Sequence, residues 1–186
     1  MAALEASVSE ISKPHGGIPE AHFLEDVDTF MKKPENSSAE GVIKRLDEQH
    51  QKYKFWEVNL LQRKKRLRLQ MPDIISTLEM VQFLKTQKSS STPLSTQFLL
   101  NENVYASAEI TPTQTAYLWL GANVMLEYTI DDAEKLLSKN LEAAQEGLKT
   151  TSNDLDFLRD QYTTTEVNMA RVYNWDVQRR KKEGKS

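Results

Sequence analysis

The residues that could do chemistry in this chain are few, and their spacing is wrong for it. His15, His22 and His50 share no metal-ligand or catalytic spacing. Asp26 with Asp28, and Asp131 with Asp132, form carboxylate pairs. No histidine or third carboxylate is placed to complete a cation site, so turn and cap roles are expected. The chain has no Cys, which excludes disulfides, thiol nucleophiles and Cys-ligated zinc. It has no glycine loop of the kind that cradles phosphate. Asn36-Ser37-Ser38 has the form of a glycosylation acceptor but, with no signal-like N-terminus, reads as a helix start. Arg63-Lys64-Lys65-Arg66-Leu67-Arg68 is basic enough for nucleic acid. No aromatics interleave it, and Leu60 and Leu67 frame it at heptad spacing, so a solvated helix face is expected. No catalytic residue, metal site or cofactor is expected, and the chain does not read as an enzyme.

What remains is long-range pattern. Residues 46, 53, 60, 67, 74 and 81 are Leu, Tyr, Leu, Leu, Ile and Val; residues 141, 148, 155, 162 and 169 are Leu, Leu, Leu, Tyr and Met. An apolar residue every seventh position marks helices that wrap a partner along a narrow seam. Six segments follow. Residues 1–18 are polar and punctuated by Gly and Pro, and disorder is expected. Residues 19–37 hold a short amphipathic helix with Pro19 in its first turn and Phe23, Val27, Phe30 and Met31 on one face, then a linker. Ser37 and Glu40 have capping-box spacing, opening a first long helix within 38–90 that is roughly 75 Å long. Pro72 should bend it without breaking it. Residues 88–96 are linker-like. Within 91–130, strands are expected at 97–100, 104–110, 115–120 and 124–130, as two successive hairpins. Asp131 or Asp132 caps a second long helix over 131–180, and 181–186 is a basic tail. The fold class is mainly α with a small β part: a long antiparallel coiled-coil helix pair joined by two β-hairpins.

Folding the helices back on each other sets Leu46 against Val172, Leu60 against Leu158, Ile74 against Ala144 and Val81 against Leu137. Tyr53 and Leu67 meet Thr165 and Thr151, a softer match. Polar residues at His50, Glu57 and Lys64 suggest a seam that loosens toward the chain termini. The hairpins are apolar on both faces at Tyr117-Leu118-Trp119-Leu120, and the chain has no spare layer to cover them. They should therefore be buried against other chains. The assembly surface is expected at Phe98, Leu100, Val104, Ile110, Tyr117, Trp119, Leu120, Val124 and Leu126.

Long helix, two hairpins, long helix is the layout of the α class of prefoldin subunits. FLLNENVYASAEITPTQTAYLWLGANVMLEYTIDDAEKLL resembles the α-class hairpin region, and IPEAHFLEDVDTFM, LDEQHQKYKFWEVNL and above all DLDFLRDQYTTTEVNMARVYNWDV are similar to eukaryotic α-class sequences. The likeness runs from residue 18 to about 180. It implies a hexamer of two α-class and four β-class subunits. It further implies capture of unfolded chains, notably actin and tubulin, at coiled-coil tips, and their transfer to the cytosolic chaperonin without nucleotide. A chaperonin contact through the 63–68 cluster stays open. The place expected is the cytoplasm, with the nucleus as a further option; neither nucleic acid nor membrane is expected as a partner. Apolar residues near the loosened ends, Val42, Ile43, Leu46, Val172, Tyr173 and Trp175, are the candidates for client contact. The rival reading is a coiled-coil tether or cytoskeletal adaptor that binds no unfolded protein.

Overall fold

The computed structural model describes residues 14–36, 38–90 and 92–184. The elements in order are α1 (Val27–Met31), α2 (Ala39–Gln87), β1 (Leu94–Asn101), β2 (Val104–Ile110), β3 (Thr115–Gly121), β4 (Val124–Thr129) and α3 (Ile130–Glu183). The expected order of elements holds. Three details differ. The first is the N-terminal segment. No helix starts at Pro19; residues 18–24 lack regular structure and α1 begins only at Val27, capped by Asp26, whose carboxylate accepts from Thr29 N–H at 3.2 Å. Phe23 is exposed, not on a shared buried face. Disorder is also the wrong description for residues 14–18: Ile18 is buried, and His15 stacks on Phe157 with ring centroids 4.0 Å apart. Residues 1–13 and Ser37, with its proposed capping role, lie outside the described residues.

The second concerns helix starts. Ser38 precedes α2, and its hydroxyl accepts from Gly41 N–H at 3.4 Å. Neither Asp131 nor Asp132 caps α3. Thr129 does, accepting from Asp132 N–H at 3.2 Å and donating to the Asp132 carboxylate at 2.8 Å. Pro72 lies within α2, which continues past it. The third difference is β1, which begins at Leu94 inside the expected linker.

The chain divides into two compact units, and each long helix contributes to both. In the unit formed by residues 67–147, β1 pairs antiparallel with β2 and β3 with β4, as two separate two-stranded sheets. The β3–β4 turn has φ of +48° at Ala122 and +60° at Asn123, the left-handed pair that a two-residue hairpin turn requires. Val81, Leu118, Ile130, Ala133 and Leu137 form the core here, with Ala116 and Tyr128 packed against it. One face of the second hairpin is therefore covered by the chain itself at its root, around Ala116, Leu118 and Tyr128, while Leu120 and Leu126 on the same face stay exposed. The expectation of two bare faces is corrected at Leu118, which is seated because Val81 and Leu137 supply the layer thought to be missing. At the helix roots, Lys85 Nζ donates to Glu134 at 2.6 Å and pairs with Asp131 at 3.0 Å.

The unit of residues 14–66 with 148–184 is an antiparallel helix pair with the N-terminal segment laid on it. Leu60 packs in the cluster of Ile18, Tyr53 and Leu158, and Leu46 in that of Met31, Ala39, Val42 and Val172. The anticipated register is thus seen at Leu46 and Leu60. The depth is not as anticipated. On α3 the buried stripe runs through Leu158, Thr165 and Val172, while Leu155, Tyr162 and Met169 are half-buried flanks. Nor does the seam loosen in this unit: Tyr53, Thr165 and Val172 are fully buried.

Candidate functional site

Two surfaces stand out, one in each unit. The first is the strap of residues 18–25 on α3. Gln161 Oε1 accepts the Ala21 N–H at 2.8 Å, and Asn168 Oδ1 accepts the Leu24 N–H at 2.9 Å. Asn168 Nδ2 donates back to the His22 carbonyl at 2.8 Å, and Arg171 donates to the Glu25 carbonyl at 2.8 Å. From α2, the Tyr53 hydroxyl donates to the Pro19 carbonyl at 2.8 Å and accepts from Gln49 Nε2 at 2.6 Å. Burial pushes the Tyr53 phenol above its ordinary pKa. Asp154 pairs with His15 at 3.4 Å, and Trp175 Nε1–H donates to Asp28 at 2.6 Å. Asp154, Gln161, Asn168 and Trp175 stand seven residues apart, one stripe of α3 devoted to the N-terminal segment.

This arrangement removes most of the expected client contacts from the free surface. Val42 and Val172 are buried, and Ile43, Leu46 and Trp175 are half-buried against the same cluster. Each is covered because α1, through Phe30 and Met31, packs on the helix pair at the place where an open end was expected. Of the six, Tyr173 alone is exposed, at 61 %. His50 is a core residue: it is buried, lies 3.2 Å from Glu166 through Nε2, and has its ring 4.2 Å from that of Tyr162. Asn36 is buried, with its Nδ2 donating to the Phe30 carbonyl at 3.0 Å, as suits a residue closing a turn before a helix. Arg63, Lys65, Arg66 and Arg68 are exposed on α2. Sequence reasoning missed Gln161 and Asn168. The only trace of them was a polar residue recurring at a seam-like interval, which reads as weakness until the strap is seen.

The second surface is the pair of hairpins. All nine residues assigned to assembly are exposed, from 40 % at Ile110 to 63 % at Tyr117. Leu99 and Met125, each 52 % exposed, add to the apolar area. Single exposed apolar side chains are ordinary; a run of this length on paired strands is a contact surface. Neither surface resembles a catalytic site, and among the described residues no group of His, Cys, Asp and Glu could hold a metal ion. No described helix is long and apolar enough to cross a membrane.

The comparisons agree with this layout. A family model described as prefoldin subunit matches residues 53–175. Prefoldin subunit 3 of Mus musculus is 56 % identical over 180 residues, covering 97 % of this chain and 92 % of that protein. Prefoldin subunit 3 of Homo sapiens is 59 % identical over 169 residues, covering 91 % and 86 %, and that of Drosophila melanogaster is 53 % identical over 171 residues, covering 92 % and 87 %. Filamentous prefoldin from Methanocaldococcus jannaschii, known from cryo-EM, aligns with a TM-score of 0.40 at 11 % identity over 55 % of this chain and 88 % of that one, a likeness that carries no argument. With the family model spanning well over half the sequence and relatives this similar over nearly all of it, the chain belongs to the prefoldin subunit family.

Proposed function

We propose that the protein holds unfolded polypeptides, actin and tubulin among them, without nucleotide and passes them to the cytosolic chaperonin from within a hexamer of two α-class and four β-class subunits. Family membership makes the chain a co-chaperone component, not an enzyme, and one that assembles with other prefoldin subunits. The observation that carries the finer reading is the double hairpin, with Phe98, Tyr117 and Trp119 each more than 60 % exposed. Strands this apolar need partner strands and side chains to cover them, which a simple tether does not. A closed β platform of several subunits supplies that cover and holds several helix pairs together, so weak contacts to one client add up.

The test uses the complete complex. The subunit is assembled with its prefoldin partners, its native mass is measured, and the suppression of unfolded-actin aggregation is followed with and without ATP. A six-subunit mass with equal suppression in both conditions is the expected result. A well-behaved monomer, or an assembled complex that leaves aggregation unchanged, favours the tether reading.

A further inference from the structure

The stripe of α3 that meets the N-terminal strap is built to read main chain. Gln161, Asn168 and Arg171, with Tyr53 from α2, make five hydrogen bonds to it, all ending on backbone N–H or carbonyl groups of Pro19, Ala21, His22, Leu24 and Glu25. Any polypeptide carries such groups. The reading side chains are fixed in place: Gln161 is 7 % exposed and Asn168 2 %. Most of the strap's side chains are open to solvent: Pro19, Glu20, His22, Phe23 and Glu25 are exposed and Ala21 and Leu24 half-buried, with Ile18 alone buried at its start and the Phe23 ring 5.1 Å from the Arg171 guanidinium.

The spacing suits an extended chain. Gln161 and Asn168 are one heptad apart, about 10.5 Å along a helix. Ala21 and Leu24 are three residues apart, about 9–11 Å in an extended chain. The two periods coincide, so a chain with a small or aliphatic side chain at every third residue fits the ladder. The strap is also an imperfect occupant. Arg171 Nε is buried without a hydrogen-bond partner beneath it. A chain bringing an acceptor to that point would satisfy a group that the strap leaves bare.

We infer that this groove is a docking site for an extended segment of an unfolded polypeptide, and that residues 18–25 occupy it as an exchangeable stand-in. The inference rests on the holding function proposed above and gives it a location in this subunit. The strap lacks a sheet partner and buries few side chains, which places it among the parts of the fold that open most readily. When it lifts, Gln161 and Asn168 offer an acceptor, a donor and an acceptor in line. The incoming chain pays for each opening, so client affinity falls by the fraction of time the strap is docked.

Two variants of the subunit within the assembled complex test this. Ala21→Pro with Leu24→Pro removes the two N–H donors of the strap and leaves the groove intact. Gln161→Ala with Asn168→Ala removes the groove's readers. With fluorescently labelled unfolded actin as probe, the strap variant should bind about tenfold more tightly if the strap is normally docked nine-tenths of the time. The groove variant should bind more weakly than wild type. Equal or weaker binding by the strap variant, or unchanged binding by the groove variant, overturns the inference. A labelled peptide of residues 14–31 gives a separate reading: it should bind the strap variant and be displaced by unlabelled unfolded actin. Failure of displacement overturns the exchange. Failure of the wild-type complex to hold actin at all counts against the holding function, and the peptide then reports on the groove alone.

Discussion

At the scale of single residues, Tyr53 joins three segments. It is fully buried, donates to the Pro19 carbonyl and accepts from Gln49. Tyr53→Phe keeps the ring and strands the Pro19 carbonyl, so a loss of about 1–2 kcal/mol in unfolding free energy is expected by thermal or denaturant melting. The same residue predicts a pH effect. Its folded-state pKa is raised by burial, so the folded state holds its proton longer than the unfolded chain does. Stability should be intact below the ordinary tyrosine value near pH 10 and fall as pH rises beyond it. Tyr53→Phe should reduce that alkaline loss; an identical alkaline slope in both proteins would rule out Tyr53 as its source. Tyr53 was legible in the sequence as a heptad residue. Its hydroxyl's partner was not, because a tyrosine in a seam gives no sign of a carbonyl 34 residues away. Gln161 and Asn168 failed for the same reason: a two-helix pattern has no place for a third, extended strand, so polar residues in it read as defects.

At the scale of elements, adjacent residues of β3 should behave oppositely. Leu118 is buried against Val81 and Leu137, whereas Trp119 is 61 % exposed. Leu118→Ala should destabilise the subunit by about 2–4 kcal/mol. Trp119→Asp should leave the subunit's own fold nearly unchanged and block assembly, since a charge would be buried unpaired between subunits. Circular dichroism and size-exclusion of the two variants separate these outcomes; assembly by Trp119→Asp would remove this face from the platform. In the helix pair, Leu158→Ala should cost more than Leu60→Ala, because Leu158 is buried and Leu60 half-exposed, and the assembly should survive both. The helix roots add an acid-sensitive contact. Hydrogen bonds from Lys85 hold Glu134 and Asp131 below the usual carboxylate range, and those two carboxylates raise Lys85. Their contribution is present above the ordinary carboxylate values and is lost as pH falls through the lowered ones. The lysine's part is lost only as pH rises through its own raised value. Glu134→Gln should soften the acid limb of a melting-temperature profile, and only slightly, because the cluster is open to solvent. The helices and hairpins were legible from seven- and two-residue periods; the seat that the chain itself provides for Leu118 was not, because alternation cannot say which layer lies opposite.

At the scale of the whole molecule, a chain with this much exposed apolar strand should aggregate or form irregular oligomers when made alone. It should become soluble when made with β-class partners. Light scattering of the two preparations is the check, and a monomer that unfolds cooperatively at micromolar concentration would refute obligate assembly. Element order could be read from long periodic segments, and the family from the likeness of segments such as DLDFLRDQYTTTEVNMARVYNWDV to known sequences. The closed ends of the helix pair could not, since they depend on residues distant in sequence meeting in space.

The strap also sets a timetable. Its hydrogen bonds to α3 join residues at least 140 positions apart in the chain. A ribosome adding roughly 5–20 residues per second makes the strap first and its groove last, roughly 7–28 s later. Through that interval the strap lacks its α3 partners and its backbone is open to proteases, whereas the finished subunit holds that backbone bonded. Backbone cleavage within residues 18–25 of the native protein would thus record events during synthesis or moments when the strap had lifted.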